Sequence, residues 1–215
     1  MIKIIGLSGF ARSGKDSVGK ILTTKYGYKR LAFADALRES LYNLNPLIPT
    51  HYSADILASE DTKPAVETHV KRLQEIVDEI GWDEAKVKYI EIRELLQRLG
   101  TESGREIHGQ NCWTEIVRRK IESEPNQDFV ICDVRFTNEL TEIESWGGQV
   151  YKVIRPNTVS VNSHVSDKDL EGVDYVINNK GTLEDLENLV AQVIDNLGKP
   201  IDKPYLVWYN ITSIT

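Results

Sequence analysis

One short segment constrains this chain more than any other: a glycine-rich loop between a predicted strand and a predicted helix. The β-branched run at residues 2–7 favours a strand, and apolar side chains recur at helical spacing after Lys15. Between them, residues 9–15 (GFARSGK) match the phosphate-loop pattern G-x-x-x-x-G-K. The glycines let successive backbone N–H groups point at one anion, and the lysine adds a positive charge. The segment therefore predicts binding of a nucleoside triphosphate.

The residue that follows the loop lysine departs from the usual pattern. Asp16 stands where serine or threonine normally supplies a hydroxyl ligand to Mg²⁺. The carboxylate either takes that role itself or leaves it to water and Ser17. ATP and Mg²⁺ are the expected ligands in both cases, and the residues expected to contact them are Ala11, Arg12, Ser13, Gly14, Lys15, Asp16 and Ser17.

The pattern beyond the loop predicts an α/β fold, with a parallel sheet flanked by helices in the three-layer arrangement of P-loop NTPases. Apolar or β-branched runs recur near residues 29–33, 129–132, 150–154 and 175–177, with helical spacing between or after them. Thr182 and Asp185 fit a capping box for the last helix. We expect one domain over residues 1–198 and a C-terminal tail at 199–215.

The middle third of the chain, residues 35–123, is interpreted as an inserted helical cap that binds the acceptor. Apolar positions from Val66 to Ile80 and from Ile92 to Leu99 predict two helices. Arg105 follows the second of these, at a predicted connection where a cap could present a phosphate clamp. We therefore predict that Arg105 binds the acceptor phosphate.

Charge and composition exclude several classes of partner. A formal net charge of −7 argues against binding long nucleic acid through its phosphates. The sequence contains no apolar stretch long enough to span a bilayer. Its 2 cysteines do not form a disulfide framework, which favours a reducing, cytoplasmic location. Small-molecule nucleotides are the expected partners, and both a monomer and a homodimer remain open.

Arginines near loops and strand ends suit phosphoryl transfer. A phosphate acceptor is already ionised at neutral pH, so the reaction requires positioning and charge neutralisation more than a base. Lys15 and Arg135 are the predicted cations around the transferred group, and Arg38 is a candidate contact to the acceptor. Any one of these arginines could instead be a solvated surface residue.

Two aspartates and one tryptophan complete the predicted site. Asp133 follows a predicted strand, from which it can reach Mg²⁺ or its waters, or cap a helix. Asp35 ends the second predicted strand, where it could contact the sugar, hold metal-bound water, act as a base or cap a helix. Trp113 either closes over the acceptor base or packs in the core.

Several segments match one known family in order along the chain: residues 11–18, 33–38, 95–102 with 104–105 and Trp113, 130–139, 147–148 with 155–156, 164–167 and 177–182. Together they resemble the phage-type deoxynucleoside monophosphate kinases. The resemblance implies ATP-dependent phosphorylation of deoxynucleoside monophosphates to diphosphates, in the host cytoplasm if the protein is phage-encoded. It also implies that the loop after residue 177, with Asn178 and Gly181, lines the adenine of ATP, and Arg155 is expected on the ATP side as well.

Two other functions remain open. One is a P-loop kinase that phosphorylates a different small acceptor, of the phosphomevalonate or dephospho-coenzyme A type, since the phosphate loops of such kinases look similar. The other is a nucleotide-binding switch without catalysis. A GTPase is disfavoured because Thr182 stands where the guanine-reading N-K-x-D motif requires an aspartate.

Overall fold

A computed structural model describes residues 2–54, 66–156, 170–173, 175–198 and 207–209. The segment 164–167, which carries part of the resemblance, lies outside the described residues, as does most of the predicted tail. Contacts divide the chain into two compact units. The sheet unit comprises Met1–Ala34 and Trp113–Thr215, and the inserted unit comprises Asp35–Cys112.

Strands and helices alternate along most of the described chain. A π-helical segment, Leu99–Arg105, continues one of the helices. The strands are β1 (Ile4–Ser8), β2 (Lys29–Leu31), β3 (Leu47–Ala54), β4 (Val66–Arg72), β5 (Phe129–Ile131), β6 (Gln149–Ile154), β7 (Tyr175–Asn178) and β8 (Val207–Tyr209). The helices are α1 (Lys15–Tyr26), α2 (Phe33–Leu44), α3 (Leu73–Lys88), α4 (Ile90–Arg98), α5 (Glu106–His108), α6 (Cys112–Glu122), α7 (Thr137–Ser145) and α8 (Leu183–Asn196).

The sheet unit is built on a parallel sheet with the strand order β2-β5-β1-β6-β7-β8. Successive residues of each strand point to opposite faces of the sheet, so strands that are buried on both faces need apolar residues at successive positions. In β1, Ile5 and Leu7 pack in one core while Ile4 packs in the other. Helices α1 and α8 contribute to the first core, and α6 and α7 to the second. The predicted P-loop fold class is confirmed.

The last helix of the sheet unit begins at the predicted capping box. The Asp185 backbone N–H donates to Thr182 Oγ1 at 3.2 Å, and the Thr182 N–H donates to Asp185 Oδ2 at 2.8 Å. The Thr182 N–H, and then the Thr182 hydroxyl, which also donates to Asp185 Oδ2 at 2.8 Å, lower the pKa of the Asp185 carboxyl. The apolar stripe of α8, which includes Leu186, Leu189 and Val190, then packs into the core.

The inserted unit differs from the two-helix prediction at its start. Residues 66–70 form part of β4, which pairs antiparallel with β3, and the helix begins only at Leu73. This segment alternates β-branched residues (Val66, Thr68 and Val70) with polar residues, and an alternation of every second residue is typical of a strand. β-branched residues also favour strands over helices. Val70 is exposed on this strand. The core of the unit forms where α3 and α4 meet, around Leu73, Ile76, Ala85 and Ile92.

The end of the insertion also differs from the sequence reading, which put it near residue 123. The inserted unit ends at Cys112. Helix α6 belongs to the sheet unit because its apolar residues Val117 and Ile121 pack in one of the cores of the sheet. In the predicted tail, residues 207–209 add strand β8 beside β7, an element that the sequence patterns did not reveal. Among the described residues, no helix is both long and apolar enough to cross a lipid bilayer.

Candidate active site

The phosphate loop connects β1 to α1 at the carboxyl edge of the parallel sheet, and two of its glycines are required by their surroundings. Gly9 has φ +129°, and a Cβ there would lie 2.3 Å from the Val153 carbonyl oxygen. Gly14 has φ +108°, and a Cβ there would lie 2.3 Å from Asn179 Nδ2. Neither position accommodates another side chain. The loop therefore sits directly against the ends of the neighbouring strands.

Lys15 folds back onto the loop that precedes it. Its Nζ donates to the carbonyl oxygens of Gly9 at 2.6 Å and Phe10 at 2.7 Å. Burial lowers the pKa of this half-buried lysine, and the positive charge of Arg135 lowers it further, while Asp16 and Asp133 oppose the change. The two predicted transfer cations thus lie within electrostatic range of each other.

Two buried hydroxyls lie at the same end of β1. Ser8 is the last residue of the strand and Ser13 lies in the loop, and each is 1% exposed. Neither hydroxyl has a hydrogen-bond partner among the described residues. Burying a polar group without a partner costs about 1–3 kcal/mol. Hydroxyls at this position fit a site that gains its hydrogen bonds when an anion binds.

Asp133 uses both carboxylate oxygens to cap helix α2. Oδ1 accepts from the Phe33 N–H at 2.8 Å and Oδ2 from the Ala34 N–H at 2.9 Å. A carboxylate at a helix N-terminus satisfies donors that have no partner within the helix and opposes the positive end of its dipole. Asp133 therefore caps a helix, as one of its two predicted roles required, but the helix is α2 and not the one that follows Asp133 in sequence. A carboxylate offers about four acceptor sites, of which these bonds occupy two.

Arg135 is exposed, and its backbone is held in place by a buried carboxylate. The N–H groups of Arg135 and Phe136 both donate to Glu139 Oε2, at 2.8 and 3.1 Å. Glu139 is 2% exposed and lies in the first turn of α7. The guanidinium thus projects from a fixed backbone segment at the end of β5.

The ends of β6 and β7 carry the residues predicted on the ATP side. Asn178 is the last residue of β7 and is buried, and Gly181 follows in the connection to α8. Arg155 is exposed directly after β6. Arg12 is exposed in the loop, with φ +64°. These positions belong to one edge of the sheet because parallel strands end on the same side.

In the inserted unit, two predicted acceptor residues line one cavity of about 370 Å³. Arg38 Nη1 lies 3.6 Å from Asp35 Oδ1, and both side chains are about one third exposed. Asp35 sits in the first turn of α2, which begins at Phe33, so the prediction that it ends strand β2 is wrong. The strand stops at Leu31, and the helix whose first N–H groups donate to Asp133 begins two residues later. Glu39, Tyr42 and Trp82 line the rest of the cavity.

Arg105 and Trp113 are placed elsewhere. Arg105 ends the π-helical segment, where its Nη1 donates to the Gly100 carbonyl at 3.4 Å, and it is not among the residues that line the cavity. The segment that we expected to be a connection is thus helical. Gly100 permits its close packing, since a Cβ there would meet the Leu37 side chain at 3.1 Å. Trp113 is 8% exposed near the start of α6, which favours the packing alternative.

The acidic residues near the loop fit a magnesium ion that is bound together with a nucleotide. Asp16 is exposed and Ser17 half-buried in the first turn of α1. Within the described ranges, no group of three or more His, Cys, Asp or Glu side chains forms a complete metal site. Mg²⁺ in phosphotransferases commonly binds through one or two carboxylates, with phosphates and waters as the other ligands. The donor set of Asp16, Ser17 and Asp133 matches that requirement.

Two contributors to the site were missed at the level of sequence, since Tyr42 and Trp82 line the cavity in the inserted unit. Asn179 belongs to the loop that was expected to line the adenine, but its bond to the phosphate loop was not predicted. Trp82 follows Gly81, whose φ of 76° interrupts α3. A glycine before an aromatic residue within a helical pattern is a weaker signal of this break.

Comparison with known proteins identifies relatives over most of the chain. The family model described as deoxynucleotide monophosphate kinase matches residues 49–190, more than half of the sequence. A protein of Acanthamoeba polyphaga mimivirus, provisionally named as a deoxynucleotide monophosphate kinase, is 26% identical over 204 residues, covering 90% of this chain and 96% of the viral protein. The deoxynucleotide monophosphate kinase of Escherichia phage RB69 is 29% identical over 108 residues, covering 48% of this chain and 44% of the phage enzyme.

Among solved structures, the dephospho-CoA kinase of Campylobacter jejuni is similar to this chain. The alignment has a TM-score of 0.47 and 17% identity, and covers 92% of this chain and 98% of the other.

Proposed function

Since this chain belongs to the deoxynucleotide monophosphate kinase family, we propose how its residues divide the work of transferring the γ-phosphoryl group of ATP to a deoxynucleoside monophosphate. An oxygen of the acceptor phosphate forms a bond to the γ-phosphorus. The bond from that phosphorus to the β–γ bridging oxygen breaks, and its electron pair leaves on ADP. The products are ADP and a deoxynucleoside diphosphate, and no proton needs to be removed from an ionised acceptor.

The observation that carries this proposal is the arrangement of positive groups at one edge of the sheet. The phosphate loop ends at the N-terminus of α1, and Lys15 lies close enough to Arg135 for their repulsion to lower its pKa. Two cations within electrostatic range of one another suit a site that binds several negative charges. ATP and a monophosphate supply such charges.

Lys15 and Arg135 stabilise the charge that develops during transfer. A lysine has only three N–H donors, and two of those of Lys15 bond to the Gly9 and Phe10 carbonyls. Lys15 therefore gives up these carbonyls for phosphate oxygens when the nucleotide binds. The exposed Arg135 guanidinium contacts the transferred phosphoryl group with paired N–H donors. The backbone N–H groups of residues 11–17 and the buried hydroxyl of Ser13 surround the remaining phosphate oxygens.

Asp16, Ser17 and Asp133 hold Mg²⁺ directly or through its waters. When bound, this ion neutralises charge on the β- and γ-phosphates. Asp133 fills two roles in this assignment, because its oxygens also accept from the Phe33 and Ala34 N–H groups. The capping bonds fix the orientation of the carboxylate that would face the ion or its waters.

The donor nucleotide and the acceptor contact different sets of residues. Arg155, Asn178 and Gly181 contact the adenosine part of ATP from the ends of β6 and β7. The acceptor binds to the inserted unit, where Asp35 orients Arg38 toward the monophosphate and contacts the sugar. Trp82 and Tyr42 offer aromatic surface to the base, and Arg105 adds a second contact to the phosphate. Trp113, which is buried, supports α6 by packing.

Nucleotides are the partners of this chain, and we propose a cytoplasmic reaction in which no long nucleic acid takes part. The test is ADP release, coupled to an indicator reaction, across a panel of ribo- and deoxyribonucleoside monophosphates. We expect ADP release to require a deoxynucleoside monophosphate. Release that is stimulated only by phosphomevalonate or dephospho-coenzyme A would contradict the proposed acceptor, and release without any acceptor would contradict the kinase assignment.

A further inference from the structure

We propose that Asn179 is a positioning residue that holds the phosphate loop in its binding conformation. Its side-chain Nδ2 donates to the Ser13 carbonyl at 2.9 Å, a buried bond that connects the end of β7 to the loop. The inference rests on the proposed function of that loop and adds a role that acts through the loop rather than on the nucleotide.

Asn179 is itself held rigidly. Its side chain is 6% exposed, and its backbone N–H donates to the Ile154 carbonyl at the end of β6 at 2.8 Å. The residue therefore has one bond to the sheet and one to the loop. Through Asn179 the loop is therefore bonded to the ends of the sheet strands.

The loop has a backbone hydrogen bond of its own, from the Ser13 N–H to the Phe10 carbonyl at 3.2 Å, but its conformation is unfavourable. Its backbone has positive φ at Gly9, Arg12 and Gly14, and Gly14, which precedes α1, provides no side-chain cap for that helix. Positive φ is unfavourable for a residue with a Cβ such as Arg12. A contact at Ser13, between two of these residues, opposes relaxation of the turn.

The bonds from Lys15 to the loop do not persist during turnover. Lys15 bonds to the Gly9 and Phe10 carbonyls, but its proposed role requires it to contact phosphate oxygens instead. The Asn179 bond points to a carbonyl on the protein side of the loop and involves no group assigned to ATP. It can therefore hold the Ser13–Gly14 peptide both before and after ATP binds.

The close fit between Asn179 and Gly14 links the two positions. A Cβ on Gly14 would approach Asn179 Nδ2 to 2.3 Å, so the amide fills the space that the glycine leaves. Removing the amide creates a gap beneath the loop and leaves the Ser13 carbonyl without this donor. We expect the affinity for ATP to fall roughly ten- to a hundredfold, the usual range for a lost buried hydrogen bond.

The test compares Asn179→Ala and the isosteric Asn179→Asp with wild type and with Asn196→Ala. Asn196 is a matched control, because its exposed Nδ2 also donates to a backbone carbonyl at 2.9 Å, that of Gln192. Calorimetry measures ATP affinity and deoxynucleoside monophosphate affinity separately. Hydrogen exchange of the protein without ligand measures protection of loop residues 9–14 against that of β1.

We expect both Asn179 variants to lose ATP affinity and loop protection, with the monophosphate affinity and β1 protection unchanged and Asn196→Ala like wild type. Equal loss for both ligands, or faster exchange throughout β1, would mean that Asn179 supports the whole unit and would overturn the proposal. Unchanged loop exchange and ATP affinity would also overturn it. Exchange of the loop does not depend on turnover, so a wild-type protein that fails to phosphorylate monophosphates would refute the proposed function and not this role.

Discussion

Replacing Asp133 by asparagine tests whether one side chain both caps a helix and serves the reaction. The carboxylate accepts from the Phe33 and Ala34 N–H groups at 2.8 and 2.9 Å. The side-chain amide of Asp133→Asn keeps one acceptor oxygen for one of these N–H groups. Its NH₂ group faces the other N–H group and cannot accept a hydrogen bond from it. The variant therefore loses one charge-assisted hydrogen bond and the favourable charge at the N-terminus of α2.

The magnitude follows from these two losses. A hydrogen bond to a charged group contributes about 1.5–3 kcal/mol, and a charge at a helix terminus about 0.3–1 kcal/mol. Because the side chain is partly exposed, we expect a net loss of about 2 kcal/mol in the free energy of unfolding. For a chain of this length, that lowers Tm by about 4–8 °C. Activity should fall further, since Asp133 also contributes to the proposed magnesium site.

Thermal unfolding and initial rates at several Mg²⁺ concentrations measure the two effects. Asp128→Asn is the control, because Asp128 Oδ1 accepts from the Lys3 N–H at 2.8 Å before β5, at the opposite end of that strand from Asp133. We expect this control to keep full activity. An unchanged Tm for Asp133→Asn would refute the capping role, and a normal rate with normal Mg²⁺ dependence would refute the catalytic one.

Three further outcomes follow from the site. Lys15→Ala should abolish most phosphoryl transfer in steady-state assays yet keep its circular dichroism spectrum, because a loop lysine contributes little to the core; a near-normal rate would contradict its assignment. Arg135→Ala should lower kcat/KM on the order of a hundredfold. The same variant should move the alkaline loss of kcat/KM for ATP to higher pH, because protonated Lys15 is the active form. Burial, and then the charge of Arg135, lower the pKa of Lys15, so removing Arg135 raises that pKa. Arg105→Ala should weaken monophosphate binding about ten- to a hundredfold with ATP affinity unchanged in calorimetry, and equal losses for both ligands would exclude Arg105 as the acceptor clamp.

Local patterns were sufficient for the strands and helices around the phosphate loop. The motif requires a strand before Gly9 and a helix after Gly14, and the capping box at Thr182 fixes the start of α8 through contacts within four residues. In these segments the hydrophobic period and the terminal signals agree. Such agreement is why the fold class was predictable.

The inserted unit was less predictable because its patterns are ambiguous. Val66 and Val70 are spaced as on one face of a helix, but they also fit the alternation of a strand, and only the pairing of β4 with β3 decides between the two. Leu99 continues a helical stripe into a π-helical segment whose packing depends on Gly100 meeting Leu37.

Contacts between distant residues explain what remained hidden in the site. The Asp133 bond to Phe33 spans 100 positions, and the Asn179 bond to Ser13 spans 166. Their residue types and their positions after strands predict that Asp133 and Asn179 lie at the ligand edge. Their hydrogen-bond partners cannot be predicted in this way, because they come close only when the sheet has assembled. Trp82 joins the Asp35–Arg38 cavity for the same reason, since folding alone brings α3 beside α2.

The most direct measurement of the central claim is to follow the labelled γ-phosphate of ATP into product. The purified chain is incubated with Mg²⁺, γ-labelled ATP and one deoxynucleoside monophosphate, with Lys15→Ala in parallel. We predict that label appears on the β-position of the corresponding deoxynucleoside diphosphate in equal amount to the ADP formed, and that the variant transfers almost none. Label released only as inorganic phosphate, or retained on ATP, would contradict the account.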